Sequence, residues 1–234
     1  MSETEIHPDT SLGDLVAEVP RYATVFESFG IDFCCGGDRS LEDACSEEGV
    51  PVETVREELR QVPREAASDW DSPSELVTLV VETHHEYLRE ELPALAALVQ
   101  KVSRVHGEAH PELRDVEAEF AELKAGMQTH ITEEEEDGFP IIEKLDRGES
   151  LSPEEEASLR VEIDGFEADH EETAERLHRI ADLTDGYEVP EGACGSYRNM
   201  LDRLEDLERD THMHVHRENN VLFPEAEAML ETVR

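Results

Sequence analysis

Apolar residues recur at helical intervals along almost the whole chain, and no run alternates apolar with polar positions as a half-buried strand would. The pattern predicts an all-α protein. Its first segments are short. LGDLVAEV follows Ser11, a capping residue, and PRYATVFESF opens on Pro20 at a first helical position and stops at Gly30. LEDACSEEG follows Ser40, with Asp43 three residues on as a weak relative of the capping box, and VETVREELRQV closes the set. These predict a small four-helix domain over residues 1–62. The polar, proline-flanked PREAASDWDSP (63–73) reads as a linker. Four longer helices follow at about 74–105, 111–145, 153–184 and 195–232, separated by HGEAHPE, RGESLSP and TDGYEVPEGACGS. Connections this short favour antiparallel neighbours, so 74–234 is expected to form a four-helix bundle.

Inside that bundle the chain repeats itself. His130, Glu134, Phe139 and Pro140 align without a gap on His214, Glu218, Phe223 and Pro224, both copies reading H-x-x-x-E-x-x-x-x-F-P. The first and third helices echo each other too: Glu82-Thr-His-His85 stands before Leu92 as Glu167-Ala-Asp-His170 stands before Leu177. Two copies of one helix pair would sit about a pseudo-twofold axis. Residues four apart share a helix face, so His130 with Glu134, and His214 with Glu218, can each reach one metal region. With His85 and His170 this makes four imidazoles and two carboxylates converging on the bundle interior. Such a set suits iron, manganese or zinc, and two carboxylates able to bridge favour a dinuclear site. Ferritin-like bundles place histidine three residues after glutamate, the reverse order.

A single H-x-x-x-E is common in acidic helical proteins, but two registered copies are not. The register also separates neighbours. In THMHVH only His214 matches His130, while His212 and His216 share another face; among Glu133 to Glu136 it selects Glu134 and leaves the rest as a solvated charge run. His85 is preferred to His84. His84, His106, His110, His178, His212 and His216 read as ordinary helix histidines or as supports to the ligands, with His106, which ends the first helix near the bundle mouth, the leading candidate for support. Phe139 and Phe223 read as packing at the site's edge, and each following proline should kink or end its helix.

Charge narrows the partners. Acidic residues outnumber basic ones 60 to 20, for a formal charge of -40. Such a chain repels nucleic acid and anionic membrane surfaces. With only Lys101, Lys124 and Lys144 among many arginines, the surface suits a salt-rich cytoplasm. No apolar run approaches the ~18–20 residues of a membrane span, and the acidic N-terminus MSETEIHPDTSLGD lacks the basic and apolar regions of a signal peptide. The expectation is a cytoplasmic protein whose four cysteines are reduced.

IDFCCGGDRS (31–40) places Cys34 beside Cys35. Adjacent Cα atoms lie ~3.8 Å apart, below the ~4.4 Å lower limit of ordinary disulfides, so a bond between them would be strained. The pair precedes the Ser40 cap, where a helix N-terminus can favour thiolate. Redox response, transient iron or nitrosyl capture, and client docking are the candidate roles. Cys45 and Cys194 read as packing residues.

The stretch LGDLVAEVPRYATVFESFGIDFCCGG, together with LREELPAL, VSRVH, HITEE, ADHEE and HRENNVLFP, resembles the iron–sulfur cluster repair di-iron proteins, with a hemerythrin-like bundle. The resemblance covers nearly the whole chain. It implies two non-haem iron ions bridged by carboxylates and an oxo group, held by His85, His130, Glu134, His170, His214 and Glu218, with Glu134 and Glu218 as the bridges. It further implies repair of clusters damaged by nitric oxide or peroxide, with iron donation as the route, iron–sulfur proteins as clients and nitric oxide reduction as a second activity. A homodimer is retained as a candidate assembly. One departure is Glu136-Asp-Gly138 before Phe139, where the family more often has apolar residues. A hemerythrin-like oxygen or nitric oxide binding or sensing protein is the alternative; such proteins tend to use five histidines, against four in register here.

Overall fold

The computed structural model describes residues 6–63 and 70–232; residues 64–69 of the expected linker, with 1–5 and 233–234, lie outside the described residues. Among those described there is no strand, only an isolated bridge between Ser11 and Ser40. The chain divides into two compact units, Met1–Leu76 with His212–Arg234, and Val77–Thr211.

The helices are α1 (Leu12–Glu18), α2 (Tyr22–Ser28), α3 (Leu41–Glu47), α4 (Val52–Gln61), α5 (Pro73–Val80), α6 (Glu86–His106), α7 (Leu113–Glu133), α8 (Phe139–Asp146), α9 (Pro153–Leu183), α10 (Gly195–Arg217) and α11 (Phe223–Thr232). Three wide π-helical turns join consecutive helices, Val81–His85 before α6, Glu134–Gly138 before α8 and Glu218–Leu222 before α11. The sequence pattern does not announce them. Pro140 and Pro224 were expected to kink or end their helices; each instead stands second in a helix that restarts after a π turn. Proline lacks the N–H that a continuous ladder needs, and the wider turn reroutes the bonding just before it.

The Val77–Thr211 unit is an antiparallel bundle of the four long segments. On one side α6 runs against α10, pairing His84 with Asp210 (2.9 Å), Glu91 with Arg203 (2.6 and 2.8 Å), Lys101 with Ser196 (3.0 Å) and His106 with Cys194 (3.2 Å). On the other, α7 runs against α9, where Glu119 meets Arg176 and Met127 meets Thr173. Between them, buried residues from all four segments form one core, among them Leu92 and Leu95 of α6, Phe120 and Leu123 of α7, Leu177 and Ile180 of α9, and Leu204 and Leu207 of α10. Each such side chain contributes about 1.5–3 kcal/mol relative to exposure. Helix α9 begins with a full capping box, Ser152 accepting from the Glu155 N–H while Glu155 accepts from that of Ser152.

In the other unit Ser11 and Ser40 cap α1 and α3 as expected, each accepting from an N–H three residues on at 3.1 Å. Gly30 ends the α2 region in the left-handed conformation (φ 68°), which only glycine adopts without strain. Helix α2 itself starts at Tyr22, two residues after Pro20. Leu12, Phe26, Phe33, Leu41 and Leu59 pack with Val215 of α10 in this unit's core. The third π turn lies against α1. There Asn220 donates to the Cys34 carbonyl at 2.8 Å, and its side chain fills the space that a Cβ on Gly13 or Gly37 would need.

Candidate metal centre

Three of the expected ligands converge on a fourth within the bundle unit. His85 is the last residue of its π turn, His130 sits in the last turn of α7, Glu134 opens the second π turn and His170 lies midway along α9. All four are buried, Glu134 at 0 % exposure. The Glu134 carboxylate turns its two oxygens to different rings: Oε2 lies 3.4 Å from His85 Nε2, and Oε1 lies 3.2 Å from His130 Nε2 and 3.9 Å from His170 Nε2. The Nε2 atoms of His130 and His170 are 2.8 Å apart. In the other unit the second copy of the repeat forms its own pair, His214 Nε2 standing 3.0 Å from Glu218 Oε1 with both residues at 0 % exposure.

The surroundings fit a metal. Carboxylates and imidazoles this deeply buried are costly unless a cation or strong partners compensate them. The ring nitrogens facing away from Glu134 are held by outer carboxylates, His85 Nδ1 by Glu135 (2.7 Å) and His130 Nδ1 by Asp169 (3.3 Å). Such contacts set the tautomer and leave each Nε2 to bind a metal. Glu135 is fixed in turn by Arg89 at 2.8 Å. Burial opposes the charged form of Glu135, but Arg89 and His85 outweigh it and hold its carboxyl below the ordinary range. Phe139 stacks on His85 with centroids 5.7 Å apart, and Phe166 meets His130 edge-on at 5.5 Å. These buried groups, arranged on both oxygens of Glu134, could hold two metal ions.

Several expectations change here. Glu135, read as part of a solvated run, instead holds the ring of His85, an expected ligand; the wide turn brings it there, and no 3.6-residue register shows that. Asp169 is a second supporting residue missed, although adjacency to His170 was its only sequence signal. Gly138, in the stretch departing from the family's usual residues, gives room to Phe166, whose ring a Cβ would meet at 2.7 Å. His84 is buried and bound to Asp210. His106 was expected to support the ligands; it closes α6 at the end opposite His85, roughly 30 Å along the helix, and its partners are Cys194 and Tyr197. Cys194, expected in packing, is exposed, and the Tyr197 and Ser196 N–H groups and Lys101 lower its thiol pKa.

The cysteine pair behaves differently from expectation as well. Cys34 and Cys35 are free thiols, the first buried and the second half-buried. A helix N-terminus was expected to favour thiolate. Instead, the neighbouring Cys35 thiol, burial and the Asp32 carboxylate push the Cys34 pKa up. His216, sharing a face with His212 as expected, packs with it against Phe33. Burial and the Arg217 charge push its pKa down to about 4, against a hydrogen bond with the Phe33 backbone.

Comparison with known proteins agrees with this architecture. A family described as a hemerythrin HHE cation binding domain matches residues 77–226, and a domain of unknown function, ScdA_N, matches residues 8–63. The iron-sulfur cluster repair protein ScdA of Staphylococcus haemolyticus is 35% identical over 220 residues, covering 92% of this chain and 96% of that protein. The chain belongs to the iron–sulfur cluster repair family. Other members of this repair family that it resembles are ScdA of Staphylococcus epidermidis, 31% identical over 218 residues (91% and 95% covered), and YtfE of Yersinia pestis, 30% identical over 220 residues (92% and 96%). No helix of the described residues is long and apolar enough to cross a membrane.

Proposed function

We propose that the chain is a di-iron protein that repairs iron–sulfur clusters damaged by nitrosative or oxidative stress, by donating iron. The observation that carries the reading is Glu134, one buried carboxylate with imidazoles at both oxygens, as a bridge between two ions requires. The names of its relatives supply the repair role. The ligands we propose are His85, His130, Glu134, His170, His214 and Glu218. The sequence repeat supports the last two, which occupy the positions of His130 and Glu134 in its second copy. Residues 1–62 and 74–234 are then the two functional modules, joined by 63–73, with the cysteine pair accessory to the iron site. The cytoplasm, iron–sulfur client proteins, nitric oxide as a small ligand and a homodimer belong to the same proposal.

Iron held by imidazole and carboxylate supplies an exchangeable ferrous ion, because these ligands bind it less firmly than an all-thiolate cage. The protein's part is to hold and release. Glu135 and Asp169 orient His85 and His130, while Phe139 and Phe166 exclude water from their rings. Four histidines disfavour the oxygen-binding alternative. The test is to add anaerobically iron-loaded protein to a cluster-depleted dehydratase while following its activity, with Mössbauer spectroscopy of the donor. Recovery of activity with loss of the di-iron signal is expected; an unchanged dehydratase overturns donation.

A further inference from the structure

A second set of metal-ligating groups lies outside the iron site. The ligand atoms of Asp32, Cys34 and Cys35 sit within 4.8 Å of one another. We propose that these three residues form a separate binding site for a thiophilic divalent cation, zinc or ferrous iron.

The loop is held in place before any ion arrives. Asp32 Oδ1 accepts from the N–H groups of Cys34 and Cys35, both at 3.0 Å, and from the Cys34 thiol at 3.3 Å. Arg39 binds the loop at two carbonyls, Asp32 (2.7 Å) and Gly36 (3.1 Å), and its guanidinium occupies the space beside Gly36 where a Cβ would stand. Asn220 does the same beside Gly37 and also holds the Cys34 carbonyl. The two glycines thus admit two side chains that lock the backbone carrying the sulfurs. Metal–sulfur bonds of about 2.3 Å let one ion span about 4.6 Å, so small side-chain rotations bring all three groups onto it.

Charge and hardness select the occupant. Two thiolates and one carboxylate carry three negative charges; a divalent ion offsets two of them, and Arg39, 3.7 Å from Asp32 Oδ2 but paired also with Glu47, offsets part of the third. Thiolates favour zinc or iron over magnesium and calcium, and the carboxylate disfavours cuprous ion. Binding replaces the two thiol protons, which leave to solvent, and no electron moves. The half-buried Cys35 leaves a side open for entry and for a solvent ligand.

The probe is Co²⁺ added to the full-length, iron-loaded protein. Thiolate-to-cobalt charge transfer absorbs in the near ultraviolet, and histidine or carboxylate ligation of cobalt does not, so the band is read as a difference against the same iron-loaded protein without cobalt, and its failure leaves the repair reading untouched. One equivalent is expected to produce the band and Zn²⁺ to remove it. Cys35→Ser, at a half-exposed position, should abolish it with the helical circular dichroism retained. Asp32→Asn, which keeps an oxygen for the two N–H groups, should weaken binding at least roughly tenfold, and Cys45→Ser with Cys194→Ser should leave it intact. Absence of the band, its survival in Cys35→Ser, unchanged affinity in Asp32→Asn, or its loss in the Cys45/Cys194 variant overturns the site.

Discussion

His130 and His170 bring their Nε2 atoms to 2.8 Å of each other beside Glu134 Oε1. Asp169 can accept from His130 Nδ1–H, which leaves His130 Nε2 unprotonated and able to bind a metal. We therefore expect Asp169→Asn and Glu135→Gln each to weaken metal binding by about 10- to 100-fold with the fold intact. Chelator competition on the iron-loaded protein measures this, and wild-type affinity in both variants would show that the outer carboxylates do not act on the ligands.

Gly37→Ala places a methyl group in collision with Asn220 Oδ1 and 2.7 Å from the Phe33 carbonyl oxygen. Overpacking of this kind costs about 1–3 kcal/mol. Asn220→Ala in the same chain relieves only the side-chain clash, so urea unfolding of the unit should show partial recovery. Full stability in the single variant contradicts the close approach.

Glu155 has its carboxyl held down to about 2 by Lys144, and by the Ser152 N–H and side chain. Its ordinary value is about 4.3. A depressed carboxylate contributes stability above the unfolded value and loses it as pH falls through the folded one. The Tm gap between wild type and Glu155→Gln should therefore be constant from pH 7 to 5, shrink below about 4.3 and close near 2. The pair is half-exposed and screened by solvent, so the gap is small. A gap independent of pH would remove the charged contribution.

Among the cysteines, Cys194 should alkylate first. Its thiol is exposed and its pKa is lowered, whereas the Cys35 thiol and burial raise that of Cys34 and burial raises that of Cys45. Timed iodoacetamide labelling near pH 7, read by peptide mass, should give Cys194 ahead of both. Faster labelling of Cys34 would mean its loop opens.

With a formal charge of -40 the folded chain repels itself. Molar salt shortens the screening length to about 3 Å, so the urea midpoint should rise from low salt to molar potassium chloride. An equal midpoint in both would detach the acidic composition from salt adaptation.

The proposed ligands could be picked out in the sequence because a helix converts spacing into direction. Histidine and glutamate four apart share a face wherever the helix lies, and the second copy of the motif identified which of several histidines and glutamates kept register. Helix extents and the serine caps followed from equally local rules. Tertiary packing decided what those rules do not reach. The π turns shift the register locally, and so bring Glu135 to His85; Asp169 serves a histidine on another helix, 39 residues away in sequence. Gly138 is explained only by the Phe166 ring from α9. His106 and Cys194 meet because α6 and α10 run antiparallel over their full overlap. For IDFCCGGDRS, adjacency ruled against an ordinary disulfide, but the upward push on the Cys34 pKa came from the Cys35 thiol, from burial and from Asp32. Hydrogen bonds and charges between separate elements depend on which surfaces meet, and that is settled only when the chain has folded.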